Sequence, residues 1–209
     1  MVGRIIETPA CVAEGAAHLA DLDARFAAAL KETGDLPLRR KPDGFAELLS
    51  AIVSQQVSTA SAAAIWGRIK EAGLQTEAAA LQAADEDWRA VGMSRQKIRY
   101  ARALAGAGID YHALRATPTD EVIVTLTAVP GIGRWTAEIY AMFSLGRADV
   151  FAPGDLALQE AAKVLFDLPE RPKEAGFRQM AEAWRPWRSV AARLLGAYYR
   201  VDKGREGTR

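Results

Sequence analysis

VPGIGRWTAEIY, residues Val129 to Tyr140, is the stretch that decides how this chain folds. The residues before it, DEVIVTLTA, read as one short helix. The residues after it place Trp135, Ile139, Met142 and Phe143 on a helical apolar face. Between them Pro130, Gly131 and Gly133 interrupt the pattern, so the break is a tight turn joining two helices. Gly131 and Gly133 carry no side chain and can take positive φ, which lets the turn approach another surface closely. The first N–H groups of the second helix have no intrahelical partner and form a natural cradle for a phosphate oxygen. An ordinary αα-hairpin that binds nothing fits the same residues.

Outward from this turn, nearly everything reads as helix. Amphipathic, Ala-rich segments cover about 11–32, 44–56, 58–71, 95–107, 119–128, 133–145, 156–166, 173–184 and 187–201. GFAELLSAIVSQQ shows the pattern, with Phe45, Leu48, Leu49, Ile52 and Val53 on one stripe. Thr117, Pro118 and Asp120 read as a helix start, the hydroxyl capping and the proline at the first helical position. No alternating strand of useful length, internal repeat or low-complexity linker is evident. The fold class is therefore all-α, and LPLRRKPDG, residues 36–44, is a candidate connection between lobes.

Composition bounds the function. A chain of 209 residues, half of them apolar, can bury a real core. The single Cys11 excludes an internal disulfide framework and a cysteine-ligated zinc or iron–sulfur cluster. A reducing, cytoplasmic setting fits, with neither a leader nor a membrane-spanning run in view. Net charge is only +1, but MSRQKIRYAR, residues 93–102, carries Arg95, Lys97, Arg99 and Arg102 without an acid. Residues 181–209 carry seven Lys or Arg against Glu182, Asp202 and Glu206. Such clusters suit a localised phosphate-binding face, and they suit a solvated helix face equally well. His18 and His112 stand alone, with no spacing for a metal or a triad.

The stretch LTAVPGIGRWTAEIYAMFSLGRADVFAPGD, residues 126–155, strongly resembles the helix-hairpin-helix motif, and the Gly/Pro-rich loop with aspartate that follows it, of the DNA glycosylase superfamily. LLSAIVSQQVS upstream and WRPWRS downstream make the chain similar to the alkylated-base branch, the DNA-3-methyladenine glycosylase II group. Together the three blocks span residues 45–189. The resemblance implies a helical glycosylase domain over residues 1–209, with lobes of about 44–150 and 1–43 plus 151–209, and the hairpin at about 119–146. Larger relatives carry an N-terminal sheet domain for which this sequence has no room. The implied activity is flipping and hydrolytic excision of alkylated purines from double-stranded DNA, by a monomer without metal or cofactor.

By that resemblance Asp155 is the catalytic carboxylate, and by its position after Pro153-Gly154 it also suits the cap of a helix starting at Leu156. The hairpin implies phosphate contacts at Val129, Gly131, Gly133, Arg134 and Thr136. Relatives that also cleave the backbone use a lysine amine where this chain has Trp135, so a monofunctional enzyme is implied. Trp135, Tyr140, Trp66 and Trp187 are candidate walls for a cationic base, and core packing is the competing role for each. The wedge that holds the gap after flipping falls at Arg95, with Met93 the alternative, and Gln56 is placed to fill space near the extruded base or to be a buried amide. Gly196 stands where a close relative places a tryptophan, which implies a wider pocket or a different stacking of the base.

Overall fold

Capping side chains and glycines bound many of the apolar stripes, and the result is thirteen α-helices among the described residues. In this computed structural model residues 2–206 are described, with side chains through Gly204. In chain order the helices are α1 (Pro9–Leu22), α2 (Ala24–Thr33), α3 (Phe45–Ser54), α4 (Thr59–Glu71), α5 (Glu77–Gln82), α6 (Asp85–Ala90) and α7 (Arg95–Ala105). They continue with α8 (Tyr111–Leu114), α9 (Thr119–Thr127), α10 (Arg134–Phe143), α11 (Leu156–Leu165), α12 (Glu174–Met180) and α13 (Arg188–Glu206), a 3-10 turn at Ala181–Trp184 preceding the last. No sheet forms among the described residues; a single antiparallel bridge joins Ile5 and Arg147. The all-α expectation holds.

Several boundaries differ from the periodicity for identifiable reasons. The segment expected as one helix over 11–32 is two, because Asp23 adopts an extended backbone and its Oδ1 accepts the Arg25 N–H at 2.9 Å, starting α2 afresh. Thr117 does not cap α9. Its hydroxyl donates to the Ala113 carbonyl at 2.9 Å, at the end of α8, and Pro118 stands at the N-cap without a side-chain bond. The short helices α5, α6 and α8 escaped the periodicity because four to six residues span too few turns to show one. Of the basic C-terminal run, Arg209 lies outside the described residues, and the Arg205 side chain is likewise not described.

The chain divides into two compact units, residues 1–40 with 141–209 and residues 41–140. The first crossing falls inside the 36–44 segment; the second falls within α10, ten residues before the boundary expected at 150–151.

In the first unit α13 packs against α1, α2 and α11. Phe26, Phe151, Phe166, Phe177 and Trp184 form an edge-to-face and stacked cluster, with ring centroids 4.9 to 6.0 Å apart. Beside it α13 buries a charge: Arg193 is fully buried and makes no ion pair among the described residues. Its Nε and Nη2 donate to the Leu38 carbonyl at 3.2 and 3.0 Å, and its Nη1 donates to the Ser189 carbonyl and hydroxyl at 2.9 and 2.6 Å. The guanidinium also sits over the Phe143 ring at 4.8 Å. Burial, with the charges of Arg39 and Arg40, lowers its pKa to about 10, so it stays charged at neutral pH. In the second unit α3 packs on α4 and α7, and α7 on α5 and α6. Tyr140 closes that unit: its hydroxyl accepts the Gly44 N–H at 2.7 Å, and Asp43 takes a two-pronged bond from Arg115.

Arg193→Met replaces the fork with an apolar chain of similar reach and leaves the Leu38 and Ser189 carbonyls without their donor. A loss of about 2–4 kcal/mol in unfolding free energy by urea titration is expected; an unchanged midpoint would show that the clamp is dispensable.

Candidate DNA-binding hairpin and catalytic carboxylate

The hairpin owes its shape to one close approach. Gly131 has φ +92°, and a Cβ there would lie 2.6 Å from Cδ2 of Tyr100 on α7, inside van der Waals overlap. Its carbonyl accepts the Gln55 side-chain N–H at 2.9 Å, and the Tyr100 hydroxyl bonds Gln96 at 2.6 Å. The turn is thus pressed onto α7 and pinned to the end of α3. Gln55 and Tyr100 do this work, and the sequence reading named neither: only the pairing of α3 and α7 with the turn makes them visible. Gly133 differs from the expectation. Its φ lies outside the left-handed region, and a Cβ there would meet nothing within 4 Å. Packing does not demand this glycine, and the space outside it is open.

Beyond the turn, Gly133, Arg134 and Trp135 are all exposed at the start of α10, while Ile132 is buried beneath them. Trp135 is 47% exposed, so core packing is not its role. The N–H groups of this first helical turn lack intrahelical partners by geometry. Val129 is the exception among the expected phosphate contacts. It is buried, its N–H donates to the Leu126 carbonyl at 3.1 Å and its own carbonyl accepts from Ile132 at 3.0 Å, so the turn itself consumes both groups. Thr136 is buried, and Arg134 leans back on the buried Glu138 at 3.0 Å.

The remaining candidates of this unit separate by exposure. Arg95 opens α7 in solvent beside its cap Ser94, whereas Met93 is 4% exposed and belongs to the core. Gln56 is exposed, with φ +56°, and is not the buried amide that was the alternative. It lines a small polar cavity of about 160 Å³ with Gln55, Ser94, Gln96, Lys97 and Tyr100. Of the basic run, Lys97 is spent on the Val53 carbonyl at 2.6 Å and Arg102 on Asp85 and the Ala83 carbonyl, leaving Arg95 and Arg99 without ion pairs among the described residues. Tyr140 is buried, and burial raises its pKa to about 12. With its hydroxyl taken by Gly44 it is part of the core, not a pocket wall. Trp66 is half-buried.

In the first unit, Asp155 follows the loop 151–154 and caps α11. Its Oδ1 accepts the N–H groups of Ala157 at 3.0 Å and Leu158 at 3.3 Å, which fixes the carboxylate's orientation. The loop is held by Gln159, whose side chain donates to the Pro153 carbonyl at 2.6 Å. A Cβ on Gly196 would lie 3.7 Å from Leu158 and 3.8 Å from Nη1 of Arg39, so the glycine leaves a gap beside the start of α11. Trp187 is elsewhere in this unit, buried against Gly15 and Val190 with Arg4 over its ring; the tight fit shows a core residue. Among the described residues no three His, Cys, Asp or Glu side chains converge as metal ligands.

The second unit thus carries an exposed helix start behind a tight hairpin, and the first unit a carboxylate fixed at the head of a helix. Residues 49–186 match the HhH-GPD superfamily of base excision DNA repair proteins, and the chain belongs to that family. It is 31% identical over 190 residues to DNA-3-methyladenine glycosylase 1 of Schizosaccharomyces pombe, covering 85% of this chain and 83% of that protein. The solved structure of the S. pombe enzyme, Mag1, in complex with abasic DNA matches with a TM-score of 0.76 at 29% identity, covering 87% of this chain and 95% of that one. A DNA-3-methyladenine glycosidase structure from Bacillus halodurans matches with a TM-score of 0.79 at 33% identity, covering 97% and 94%.

The two hairpin glycines separate fold from binding. Gly131→Ala should cost at least about 2 kcal/mol by thermal or urea unfolding, from ring overlap and left-handed strain together. Gly133→Ala should change stability by less than about 0.5 kcal/mol. Equal losses at both positions would contradict the close approach at Tyr100.

Proposed function

We propose that the protein is a monofunctional DNA glycosylase that flips alkylated purines, 3-methyladenine and 7-methylguanine among them, out of double-stranded DNA and hydrolyses the glycosidic bond. The observation that carries the reading is Asp155, a carboxylate held by two backbone N–H groups in a chain of the base excision family. The names of the similar S. pombe and B. halodurans proteins support the substrate class. The enzyme acts as a monomer on cytoplasmic DNA. Among the described residues no helix is long and apolar enough to cross a membrane.

The leaving group explains why one carboxylate suffices. Most glycosidases need a second carboxyl group to protonate the departing oxygen. A purine alkylated at N3 or N7 is already cationic and departs neutral, so acid assistance is unnecessary. Asp155 then stabilises the oxocarbenium-like sugar and places the water. The exposed start of α10 holds a phosphate through its backbone N–H groups. Trp135 offers an indole face to a cationic base, worth about 0.5–2 kcal/mol, and no amine for a Schiff base. Extruding the base costs a few kcal/mol, which Arg95 offsets by occupying the gap, with Gln56 beside it.

Asp155→Asn is a clean test because asparagine caps a helix as well as aspartate does, so fold and affinity for abasic DNA should persist. Single-turnover release of 7-methylguanine should fall at least about a hundredfold; near-normal release would remove Asp155 from the chemistry. Gly133→Asp places a negative charge in the open space at the hairpin and should weaken binding to every duplex, damaged or not, without loss of stability. Unchanged affinity would show that the hairpin is not the anchor. In parallel duplexes, cationic purines should be excised faster than uracil, and a faster rate on uracil than on every cationic base would sink the leaving-group mechanism.

A further inference from the structure

Arg39 is held in a conformation that its own sequence does not favour. Its φ is +51°, in the left-handed region that a branched or long side chain enters only under constraint. The constraint is next to it in the chain: Arg193, buried in α13, grips the Leu38 carbonyl with two N–H groups. So positioned, the Arg39 guanidinium lies over the Phe143 ring at 5.7 Å, with Nη1 3.8 Å from where a Cβ on Gly196 would be. The absence of a side chain at Gly196 leaves it room. Arg200 follows Gly196 by four residues on α13, and i and i+4 positions share a helix face. The two guanidiniums sense each other: partial burial first, then the charge of Arg200, pushes the Arg39 pKa below its ordinary value, and Asp155 opposes the shift.

Ion pairing occupies many of the other arginines. Arg4, Arg25, Arg89, Arg102, Arg115 and Arg134 all have carboxylate partners, and so do the arginines at 171, 178, 185 and 188. The side chains of Arg39 and Arg200, like those of Arg40, Arg95 and Arg99, make no hydrogen bond or ion pair among the described residues. Two like-charged forks, one beside Gly196 at the start of α11 and the other one turn along the same face of α13, are the donor set for an anion with several oxygens, which a guanidinium binds two-pronged. They are the wrong charge for a cationic purine. We propose that Arg39 and Arg200 form a phosphodiester clamp that binds a backbone phosphate next to the flipped nucleotide, a second grip in the unit that carries the catalytic carboxylate. It rests on the glycosylase reading only in taking DNA as the substrate.

Arg39→Gln, Arg200→Gln and the double variant are tested on a duplex with a tetrahydrofuran abasic analogue, which needs no excision. Each single variant is expected to weaken binding about tenfold. Each should also reduce the slope of log affinity against log salt by about one. Arg171→Gln, which breaks only an exposed pair with Glu160, should do neither. A neutral methylphosphonate is then walked through the phosphates flanking the analogue. One position should weaken the wild type and leave the double variant unaffected. Unchanged affinity and slope in Arg39→Gln and Arg200→Gln, with unfolding midpoints at the wild-type value, would overturn the clamp. So would a changed ratio of hypoxanthine to 7-methylguanine release with an unchanged slope, because the guanidinium would then be reading the base. A wild type that releases no base but shows the arginine-dependent slope keeps the clamp and removes the glycosylase reading. A wild type that binds no abasic duplex removes both.

Discussion

A guanidinium buried without a carboxylate, that of Arg193, constrains the first unit more than any other group. A charge in the interior costs several kcal/mol unless every donor is met. Here the Leu38 carbonyl, the Ser189 carbonyl and hydroxyl, and the face of Phe143 meet it. Those partners come from three places in the chain, so satisfying one side chain fixes the segment before residue 40, the end of α10 and the first turns of α13 together. The left-handed backbone at Arg39 follows from that fixation, and so does the path of the chain past Gly196.

The second unit has its own constraint, and it acts by exclusion. Only a residue without Cβ can lie under Tyr100 at φ +92°, so Gly131 sets the depth to which the hairpin sinks onto α7. Gln55 then holds the turn by its carbonyl. With the turn sunk and Ile132 buried, the next three residues are left outside, and the amide-rich start of α10 faces solvent with Trp135 beside it. That arrangement leaves about half of the Trp135 indole in solvent.

Much of this was legible in the sequence, and the part that was not has a physical explanation. The all-α class, the hairpin and the position of Asp155 at the head of α11 follow from patterns local to a few turns: apolar periodicity, Pro-Gly punctuation and an aspartate before a helix. Tyr140 and Trp187 resisted the same treatment. An aromatic ring on an apolar helix face reads identically whether it lines a pocket or fills a core, and only the Gly44 N–H on one and Gly15 under the other decide. Met93 and Arg95 adjoin in sequence yet differ in burial because α7 begins between them, at the Ser94 cap. Arg39 was unreadable for a stronger reason: its neighbours Arg193, Gly196 and Arg200 lie more than 150 positions away in the chain.

Electrostatics around Asp155 bind these observations to the chemistry. In the proposed reaction the Asp155 carboxylate acts as an anion on the sugar as positive charge develops there, and the departing base starts positive as well. Yet the same unit presents two unpaired arginines near the start of α11. At about 8 Å and an effective dielectric of about 20, two like unit charges repel by about 2 kcal/mol, as much as a ring face returns to a cationic base at its best. A phosphodiester bound between Arg39 and Arg200, as proposed, removes that repulsion and leaves the Asp155 charge for the proposed action on the sugar. On that proposal the nucleotide itself brings the anion that the two guanidiniums lack, and their charge is met only when the strand is in place.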